Sequence, residues 1–379
     1  MDKQALYQDR LNRIQKTINY ERVAQIPIIF TGIAFAPRYM GLPMSRFCVD
    51  EEAAVQVTLD TVNKVGEIDG LNYLPGGRIH IVLSSIWLSK TNIPGRELPE
   101  DSLWQVVEKE VMTPDDYDFI VEHGWQTFLG QHMPKVVDME EFHAAMGWIM
   151  QNIPAVAQRF RENGYVILSG GATTIPFEYF CGGRSMPKFF LDLYRMPDRV
   201  QAAMDVIVPE LISAGIGTAK LSGSIGVWVG GWRAASAMVA PKIWDRMVWP
   251  YYQQIVGALV AEGIVPIFHW DQDWTRDLHR LKELPAKKCI LNLDGMTDIR
   301  KAKKILDGHM AIMGDVPASL FAAGTPDDIY NYVRDLVRDV GPEGLLLCPG
   351  CDAPINTKPE NMEAFVAAGR EFGTLTAKV

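Results

Sequence analysis

The stretch Val265–Asp271 reads Val-Pro-Ile-Phe-His-Trp-Asp, a largely apolar run that ends in side chains capable of chemistry. Short apolar runs of this kind are typical of strands that are buried on both faces of a parallel sheet. A second run, Lys288–Leu293, follows after enough residues for one helix, and it ends beside Asp294. This alternation of strand and helix predicts βαβ units in the second half of the chain.

Six further apolar runs extend the pattern over the rest of the chain. They are Ile26–Thr31, Arg78–Ser84, Tyr165–Ser169, Ile225–Val229, Met310–Met313 and Gly344–Leu347. Helical patterns lie between them, and the clearest begins at Thr325, has proline at its first position and stops at Gly341. Eight strands in alternation predict an α/β fold, a closed (β/α)8 TIM barrel. The alternative is a doubly wound sheet with a cap, which the absence of an early Gly-x-Gly-x-x-Gly turn disfavours.

Two additions to the barrel are expected. The charged N-terminus predicts a helical extension, and the segment of about 87–163 is too long for one crossover. We interpret that segment as a helical insertion after the second strand, with helical patterns at Leu103–Val111 and Met139–Arg161, packed over the barrel mouth. The chain 1–379 is then a single barrel domain.

Composition excludes several classes of function. The chain has 379 residues, of which 48% are hydrophobic and 22% charged, and its net charge is −9. It contains no basic stripe for nucleic acid and no polybasic patch for a membrane surface. It also has no apolar run of 18 residues and no signal-peptide pattern at its start. Five cysteines in a chain of this length do not make a disulfide framework, so we expect a reduced, cytoplasmic protein.

The strand ends bring metal-binding residue types to one rim. In TIM barrels, reactive groups come from the C-terminal ends of the strands. The fifth strand ends in His269 and Asp271, the next in Asp294, the seventh near Asp315 and the last near Cys351. Histidine, aspartate and cysteine are zinc ligands, and a catalytic zinc usually takes three protein ligands. We therefore predict a metal site at His269, Asp271 and Cys351. Asp294 and Asp315 are candidate catalytic residues, either as a fourth ligand or as a proton source.

Each of these residues also has an ordinary structural role open to it. A hydrogen-bonded core position is the alternative for His269, and capping of the helix near Thr297 is the alternative for Asp294. Cys348 and Cys351 form a Cys-x-x-Cys pair, but no helix start follows them, as a thioredoxin-like redox site would require.

Four tryptophans follow strand ends, at positions 228, 232, 270 and 274. Most tryptophans are packing residues, yet four near one rim can form the wall of an aromatic pocket. We take Trp228 and Trp270 as candidate substrate-binding residues. Arg184 is a further candidate, because it and Arg233 are the arginines near the rim that a substrate carboxylate would need.

Several motifs resemble those of the uroporphyrinogen decarboxylase superfamily, most strongly after residue 160. The motifs are Gly170-Gly171-Ala172-Thr173 after an inner strand, Pro197-Asp198-Arg199-Val200 at a helix start, Gly314-Asp315-Val316 followed by Gly324-Thr325-Pro326, and Pro349-Gly350-Cys351 followed by Pro359-Glu360-Asn361-Met362. Within the superfamily, the chain resembles the zinc- and corrinoid-dependent methyltransferases. That branch typically carries His-x-Cys on the fifth strand and Pro-Gly-Cys on the last.

The chain departs from both branches of the superfamily in an informative way. The Arg-rich N-terminal motif of the decarboxylases is missing, since residues 31–37 read Thr-Gly-Ile-Ala-Phe-Ala-Pro. His269 and Cys351 match the methyltransferase pattern, but Asp271 stands where the first cysteine would be. A carboxylate is a harder ligand than a thiolate and favours the activation of oxygen over sulfur.

The resemblance therefore implies a zinc-dependent methyltransferase that demethylates an O-methyl substrate, an aryl methyl ether. The cofactors implied are zinc and a corrinoid (cobalamin) carried by a partner corrinoid protein, which accepts the methyl group. Two alternatives remain open at this point: a methyltransferase that acts on a thiol such as coenzyme M or on tetrahydrofolate, and a carboxy-lyase. The sequence also leaves the oligomeric state open, with a homodimer as one alternative to a monomer.

Overall fold

A computed structural model describes residues 2–375 and confirms an α/β barrel with parallel inner strands. The strands are β1 (Ile29–Phe30), β2 (Gly70–Leu71), β3 (Thr91–Asn92), β4 (Gln105–Val106), β5 (Val166–Ile167), β6 (Ser169–Thr174), β7 (Gly226–Gly231), β8 (Val265–Trp270), β9 (Ile290–Leu293), β10 (Ala311–Val316) and β11 (Leu345–Pro349). All pair in parallel except β3 and β4, which form a small antiparallel hairpin outside the barrel.

The barrel closes through two junctions. β5 pairs with β2 and β6 pairs with β7, so these two pieces form one barrel strand that is interrupted at Leu168. At the other seam, Ile28 forms a parallel bridge with Leu347, and the Leu347 amide donates to the carbonyl of Pro27 at 2.9 Å. The cycle β1, β2, β5–β6, β7, β8, β9, β10, β11 therefore has the eight strands of a (β/α)8 barrel.

Helices surround the barrel. They are α1 (Lys3–Ile18), α2 (Phe35–Met40), α3 (Met44–Phe47), α4 (Glu51–Val65), α5 (Ile79–Trp87), α6 (Asp115–His123), α7 (Trp125–His132), α8 (Met139–Glu162), α9 (Pro176–Arg184), α10 (Met186–Arg195), α11 (Pro197–Ser222), α12 (Pro241–Met247), α13 (Trp249–Ala261), α14 (Ile299–Leu306), α15 (Ala318–Ala323), α16 (Pro326–Val340) and α17 (Pro359–Gly373), with 3-10 turns at Met133–Lys135 and Leu278–Glu283. The capping box predicted at Thr325 is present at the start of α16.

The N-terminal extension closes the bottom of the barrel. Side chains of α1, among them Ile14 and Ile18, pack with inward-facing strand residues such as Ile267 and Met313 in one buried cluster. Because the bottom is filled with apolar side chains, the polar residues at the opposite, C-terminal end of the strands form the open mouth.

The prediction of the second strand was wrong. Arg78–Ser84 belongs to the start of helix α5, and the buried residues of that helix include Ile81, Ser84 and Trp87, at helical spacing. The second barrel strand is Gly70–Leu71, which has only two ladder residues and so leaves little alternation to read in the sequence.

The inserted segment also differs in part from the prediction. It occupies residues 72–165, between β2 and β5, and therefore starts before the expected limit near 87. The helix expected over Met139–Arg161 is confirmed as α8. The helix expected over Leu103–Val111 is absent, and the short strand β4 lies there, paired with β3.

The Gly-rich segment 170–173 is part of strand β6 and not the turn that the motif suggests. Glycine is needed because α11 packs closely on this strand: a Cβ at Gly170 or Gly171 would overlap Ser222 or Thr218 of that helix. Helix α11 is long and apolar enough to span a membrane by composition, but residues such as Val200 and Leu211 are buried against the fold.

Candidate metal centre

Three side chains from two strand ends meet at the mouth. The ligand atoms offered by His269, Asp271 and Cys351 all lie within 4.8 Å of one another. The Nε2 atom of His269 is 3.3 Å from Oδ1 of Asp271. His269 is buried, whereas the other two side chains are partly exposed to the mouth. One nitrogen, one oxygen and one sulfur donor thus lie close enough together to hold a metal ion, and zinc accepts all three donor types.

The tautomer of His269 is set by a neighbour on the next strand. Asn292 lies opposite His269 in the β8–β9 register. Its Nδ2 donates to the carbonyl of Met313 at 3.1 Å, so its Oδ1 faces Nδ1 of His269, 2.6 Å away, and accepts a hydrogen bond from it. Nδ1 therefore carries the proton, and the lone pair of Nε2 points toward Asp271 and Cys351. This arrangement is typical of metal-ligating histidines.

The backbone on both sides of Asp271 is fixed. Its amide donates to the carbonyl of Gly231 at 2.9 Å, and its own carbonyl accepts from Nε1 of Trp274 at 2.7 Å. The next residue, Gln272, has a φ of 74° in the left-handed region, and its amide donates to Oδ2 of Asp294. A non-glycine residue rarely adopts this conformation unless its surroundings hold it there, and the turn directs Asp271 into the mouth.

Cys351 reaches the site because of the glycine before it. A Cβ at Gly350 would lie 3.0 Å from the carbonyl oxygen of Asp294, closer than almost any side chain tolerates. The amide of Gly350 also donates to the carbonyl of Val316 at 2.9 Å. Glycine thus lets the chain after β11 pass directly over the end of β9, and this path carries Cys351 toward His269.

The triad concentrates negative charge around His269. Burial lowers the pKa of this imidazole, but the neighbouring Asp271 and Cys351 more than offset that effect and raise it well above its ordinary value. When no cation is bound, a second proton on the ring, at Nε2, is therefore favoured, because the Asp271 carboxylate stabilises a positively charged imidazolium. A divalent metal ion would serve the same electrostatic purpose with two charges.

The two cysteines of the Cys-x-x-Cys pair have different surroundings. Cys348 is fully buried in the inner apolar cluster, and its sulfur lies 3.3 Å from the hydroxyl of Thr31. Burial raises the pKa of its thiol to about 12. Cys348 is therefore a neutral packing thiol, while Cys351 faces the mouth.

The two carboxylates considered for acid–base chemistry also separate. Asp294 lies on the mouth side, half-buried, where it accepts hydrogen bonds from the amides of Gln272 and Met296. It does not cap the helix near Thr297, as the alternative had it, because Asp298 is the N-cap of α14. Burial, with a contribution from Asp271, raises its pKa. Asp315 is buried elsewhere: it accepts a hydrogen bond from Tyr332 of α16 at 2.8 Å, and burial raises its pKa to about 7. The structure does not bring Asp315 to the triad.

The two tryptophans considered for substrate binding lie on opposite sides of the strands. Trp228 is partly exposed, and its ring stacks on the imidazole of His269 with centroids 5.8 Å apart. Trp270 is fully buried and stacks on Trp274 at 4.0 Å, in the outer layer next to Tyr252. Since side chains alternate along a strand, Trp270 faces away from its neighbours His269 and Asp271 and cannot line the mouth.

Arg184 does not reach the triad either. It is 2% exposed, and its guanidinium contacts Asp192 at 2.6 Å and both Glu110 and the carbonyl of Met112 at 2.5 Å. Contacts within the protein therefore occupy Nε and Nη1 of this arginine, and they tie the inserted segment to helices α9 and α10.

Asn292 is the functional residue that sequence reasoning missed. The signal was a single polar side chain inside the apolar run Ile290–Leu293. Without the strand register, nothing in the sequence places it opposite His269.

Comparison with known proteins agrees with this architecture. Residues 129–372, more than half of the chain, match the family described as Uroporphyrinogen decarboxylase (URO-D). The chain belongs to the uroporphyrinogen decarboxylase family. The resemblance to this family that the motifs after residue 160 indicated is therefore confirmed.

Among solved structures, a methyltransferase from Methanosarcina mazei is similar over 95% of this chain and 98% of its own, with a TM-score of 0.73 and 16% sequence identity. At that identity the likeness supports the same fold. A xylose isomerase domain protein from Alicyclobacillus acidocaldarius covers 70% of this chain and 93% of its own, but a TM-score of 0.24 at 13% identity carries no argument. No curated protein sequence is significantly similar to the chain.

Proposed function

We propose that this family member is a zinc-dependent methyltransferase. It takes a methyl group from an O-methyl substrate of the aryl methyl ether class and delivers it to the Co(I) corrinoid of a partner protein. The observation that carries the proposal is the convergence of His269, Asp271 and Cys351 within 4.8 Å, with Asn292 holding the imidazole in the ligating tautomer. The fold shared with a methyltransferase of Methanosarcina mazei supports the same reading.

The residues fit zinc by their chemistry. Three protein ligands of mixed N, O and S type leave one position for a substrate, as in other catalytic zinc sites. His269, Asp271 and Cys351 would hold the ion. When bound, zinc supplies a Lewis acid that draws electron density from an ether oxygen in the mouth.

Asp271 favours oxygen chemistry over the alternative of thiol methylation. A second thiolate in its place would donate more charge to the metal and match soft sulfur substrates better. Asp271→Cys is therefore expected to keep zinc and to lower the rate on an aryl methyl ether. Unchanged ether cleavage in this variant would remove the basis for choosing oxygen over sulfur.

The protein's own groups account for the rest of the step. The partner's Co(I) corrinoid would accept the methyl group and supply the electron pair of the new bond to carbon, and the pair of the broken O–CH3 bond would stay on the substrate oxygen. Trp228, stacked on His269, provides an aromatic surface for the ring of the substrate. We place Asp294, on the mouth side beside the Gln272 turn, as the donor that returns a proton to the leaving phenolate oxygen.

The proposal also implies where the partner protein docks and where in the cell the protein acts. A corrinoid protein must bring its cofactor to the C-terminal mouth, because the opposite end of the barrel is filled by α1. We also propose a cytoplasmic location. The apolar helix α11 is consistent with this, since it packs on strand β6 as a barrel helix.

The test is a direct assay of demethylation. The purified protein is incubated with an aryl methyl ether and chemically reduced Co(I) cobalamin, and the phenol released is measured by chromatography. Phenol should form in the presence of zinc and stop after the metal is removed with a chelator. Phenol release that survives complete metal removal would contradict the zinc mechanism.

A further inference from the structure

Arg233 is a buried cation with an unused donor at the mouth. It follows directly after strand β7 and is only 2% exposed. Within residues 2–375, its Nη1 atom is buried and has no hydrogen-bond partner. A buried guanidinium nitrogen without a partner is costly, so a group that accepts from Nη1 would be bound favourably there.

The backbone that presents Arg233 is anchored by a fully buried carboxylate. Oε1 of Glu178 accepts hydrogen bonds from the amides of Trp232, at 2.7 Å, and Ala234, at 2.9 Å, the residues on either side of Arg233. Glu178 lies on α9 and has no exposed surface. The arginine is therefore held in a defined position, as a preorganised binding site requires.

Two aromatic rings and one glutamate surround the guanidinium. Its carbon lies 4.2 Å from the ring centroid of Trp232 and 5.1 Å from that of Trp87. Nη2 is 3.2 Å from Oε2 of Glu108, whose side chain is 48% exposed. The other oxygen of Glu108, Oε1, accepts a hydrogen bond from the amide of Met186 at 2.6 Å. Another anion can therefore take the place of Oε2 at the arginine while Glu108, half-exposed, keeps its bond to Met186. Arg184 is not available to a ligand in this way, because its guanidinium makes short, buried contacts with Asp192 and with the carbonyl of Met112.

The position of Arg233 relates it to the metal centre. Strand β7 carries Gly230 opposite His269 in the β7–β8 register, and Trp228 of the same strand stacks on that imidazole. Arg233 lies three residues beyond Gly230, on the rim of the strand next to the metal-binding strand. A substrate ring near Trp228 would therefore have both the triad and a cationic rim residue around it.

We propose that Arg233 binds a carboxylate on the aromatic substrate, in place of Glu108. The planar guanidinium fork matches a carboxylate, and the flanking Trp87 and Trp232 rings accommodate the aromatic body. This inference rests on the proposed function, since it names the substrate class as methoxylated aromatic acids. It predicts opposite effects for the two members of the ion pair: loss of the arginine weakens binding of the acid, and loss of the glutamate charge strengthens it.

Calorimetric titration with two nearly isosteric ligands tests the proposal on the protein as purified. The probes are 4-methoxybenzoate and its neutral counterpart 4-methoxybenzamide. The acid should bind more tightly than the amide. Arg233→Gln should weaken binding of the acid by about 10- to 100-fold, the worth of a charge-assisted hydrogen bond, and change binding of the amide by less than about twofold. Glu108→Gln should tighten binding of the acid several-fold.

Arg280 provides a matched control. It also lies over two tryptophan rings, those of Trp244 at 6.0 Å and Trp249 at 5.4 Å, and it pairs with Asp245 at 2.8 Å, but on the outer helices. Arg280→Gln should leave both ligands unaffected. Arg233→Lys, which keeps the charge and loses the fork, should be intermediate between wild type and Arg233→Gln.

Several outcomes overturn the inference. Equal binding of the two probes would overturn it, and so would no binding of either probe. Binding of the acid that Arg233→Gln leaves unchanged would also overturn it, since the acid would then bind elsewhere, for example at the metal. If Arg233→Gln fails to fold, as circular dichroism would reveal, unchanged acid affinity in Glu108→Gln overturns it as well. Failure of the proposed function has a different signature: no phenol is released, while binding of the acid still depends on Arg233.

Discussion

The inner rim and the outer wall of this barrel are made by the same strands, yet they hold very different chemistry. On the inner rim, His269 and Asp271 converge with Cys351 around one point. On the outer wall, Trp270 stacks on Trp274, and Asp315 is hydrogen-bonded by Tyr332 of α16. An aspartate lies on each side, Asp271 on the inner rim and Asp315 on the outer wall, so the direction of the side chain decides which of the two joins the site.

The largest contrast is expected between the two cysteines of the Cys-x-x-Cys pair. Cys351→Ala removes an inner ligand and should lower methyl transfer by on the order of 10³-fold or more, since several kcal/mol of Lewis-acid stabilisation are lost. Cys348→Ala removes only a packing thiol and should keep metal and activity. Zinc content by plasma mass spectrometry, with phenol release, measures both variants. Equal loss of zinc in the two variants would break the comparison.

The two aspartates give the next contrast. Asp294→Asn should slow cleavage by about 10²-fold, the lower range for a general acid, whereas Asp315→Asn should leave the rate unchanged. The defect in Asp294→Asn should shrink with 4-nitroanisole, because its nitrophenolate leaves without protonation. A merely structural role for Asp294 would slow both substrates alike, and that result would remove it from the mechanism.

Asn292 allows the positioning of His269 to be tested separately from ligation. Asn292→Ala removes the acceptor of Nδ1 and should weaken zinc binding by about 10- to 100-fold, as loss of a partner behind a ligating histidine does. Asn292→Asp keeps an acceptor and should retain tight binding. Competition with a chromogenic chelator measures the dissociation constants. If Asn292→Ala and Asn292→Asp bound zinc equally well, the 2.6 Å hydrogen bond between residue 292 and His269 would have no effect on zinc affinity.

The smallest contrast concerns the tryptophans. Trp228→Leu should raise KM for an aryl methyl ether by about 3- to 10-fold, the range of an aromatic stacking contact. Trp270→Leu should lower the melting temperature through loss of packing and leave KM unchanged. Steady-state kinetics and thermal melts distinguish the two. An increase in KM for Trp270→Leu would place that ring in the mouth after all.

The sequence predicted the second half of the fold better than the first, for a physical reason. Strands β7 to β11 have four to six residues each, and their apolar runs are visible. Strand β1 has only two ladder residues but lies in the visible apolar run Ile26–Thr31, whereas β2, Gly70–Leu71, is flanked by Asp69 and Asn72. The apolar helix α5, with Ile81 and Trp87 buried at helical spacing, was therefore mistaken for the second strand. The presence of an apolar run around the ladder made the difference.

The candidate site also contains residues that the sequence could place and residues that it could not. Residues whose position follows from strand ends, His269, Asp271 and Cys351, could be predicted from the sequence. Trp270 and Asp315 were misplaced, because direction at a strand end depends on the local register and turn geometry. The surroundings of Arg184 and Asn292 depend on contacts that only the fold creates: Glu110 of the inserted segment binds Arg184, and the strand register brings Asn292 to His269.

X-ray absorption at the zinc edge of the purified protein tests the central claim most directly. We expect about one zinc per chain, bound by one sulfur and two lighter atoms from the protein, with the sulfur signal lost in Cys351→Ala and kept in Cys348→Ala. A protein that binds no zinc and still transfers methyl groups in the presence of a chelator would contradict the account, as would a zinc with two sulfur ligands.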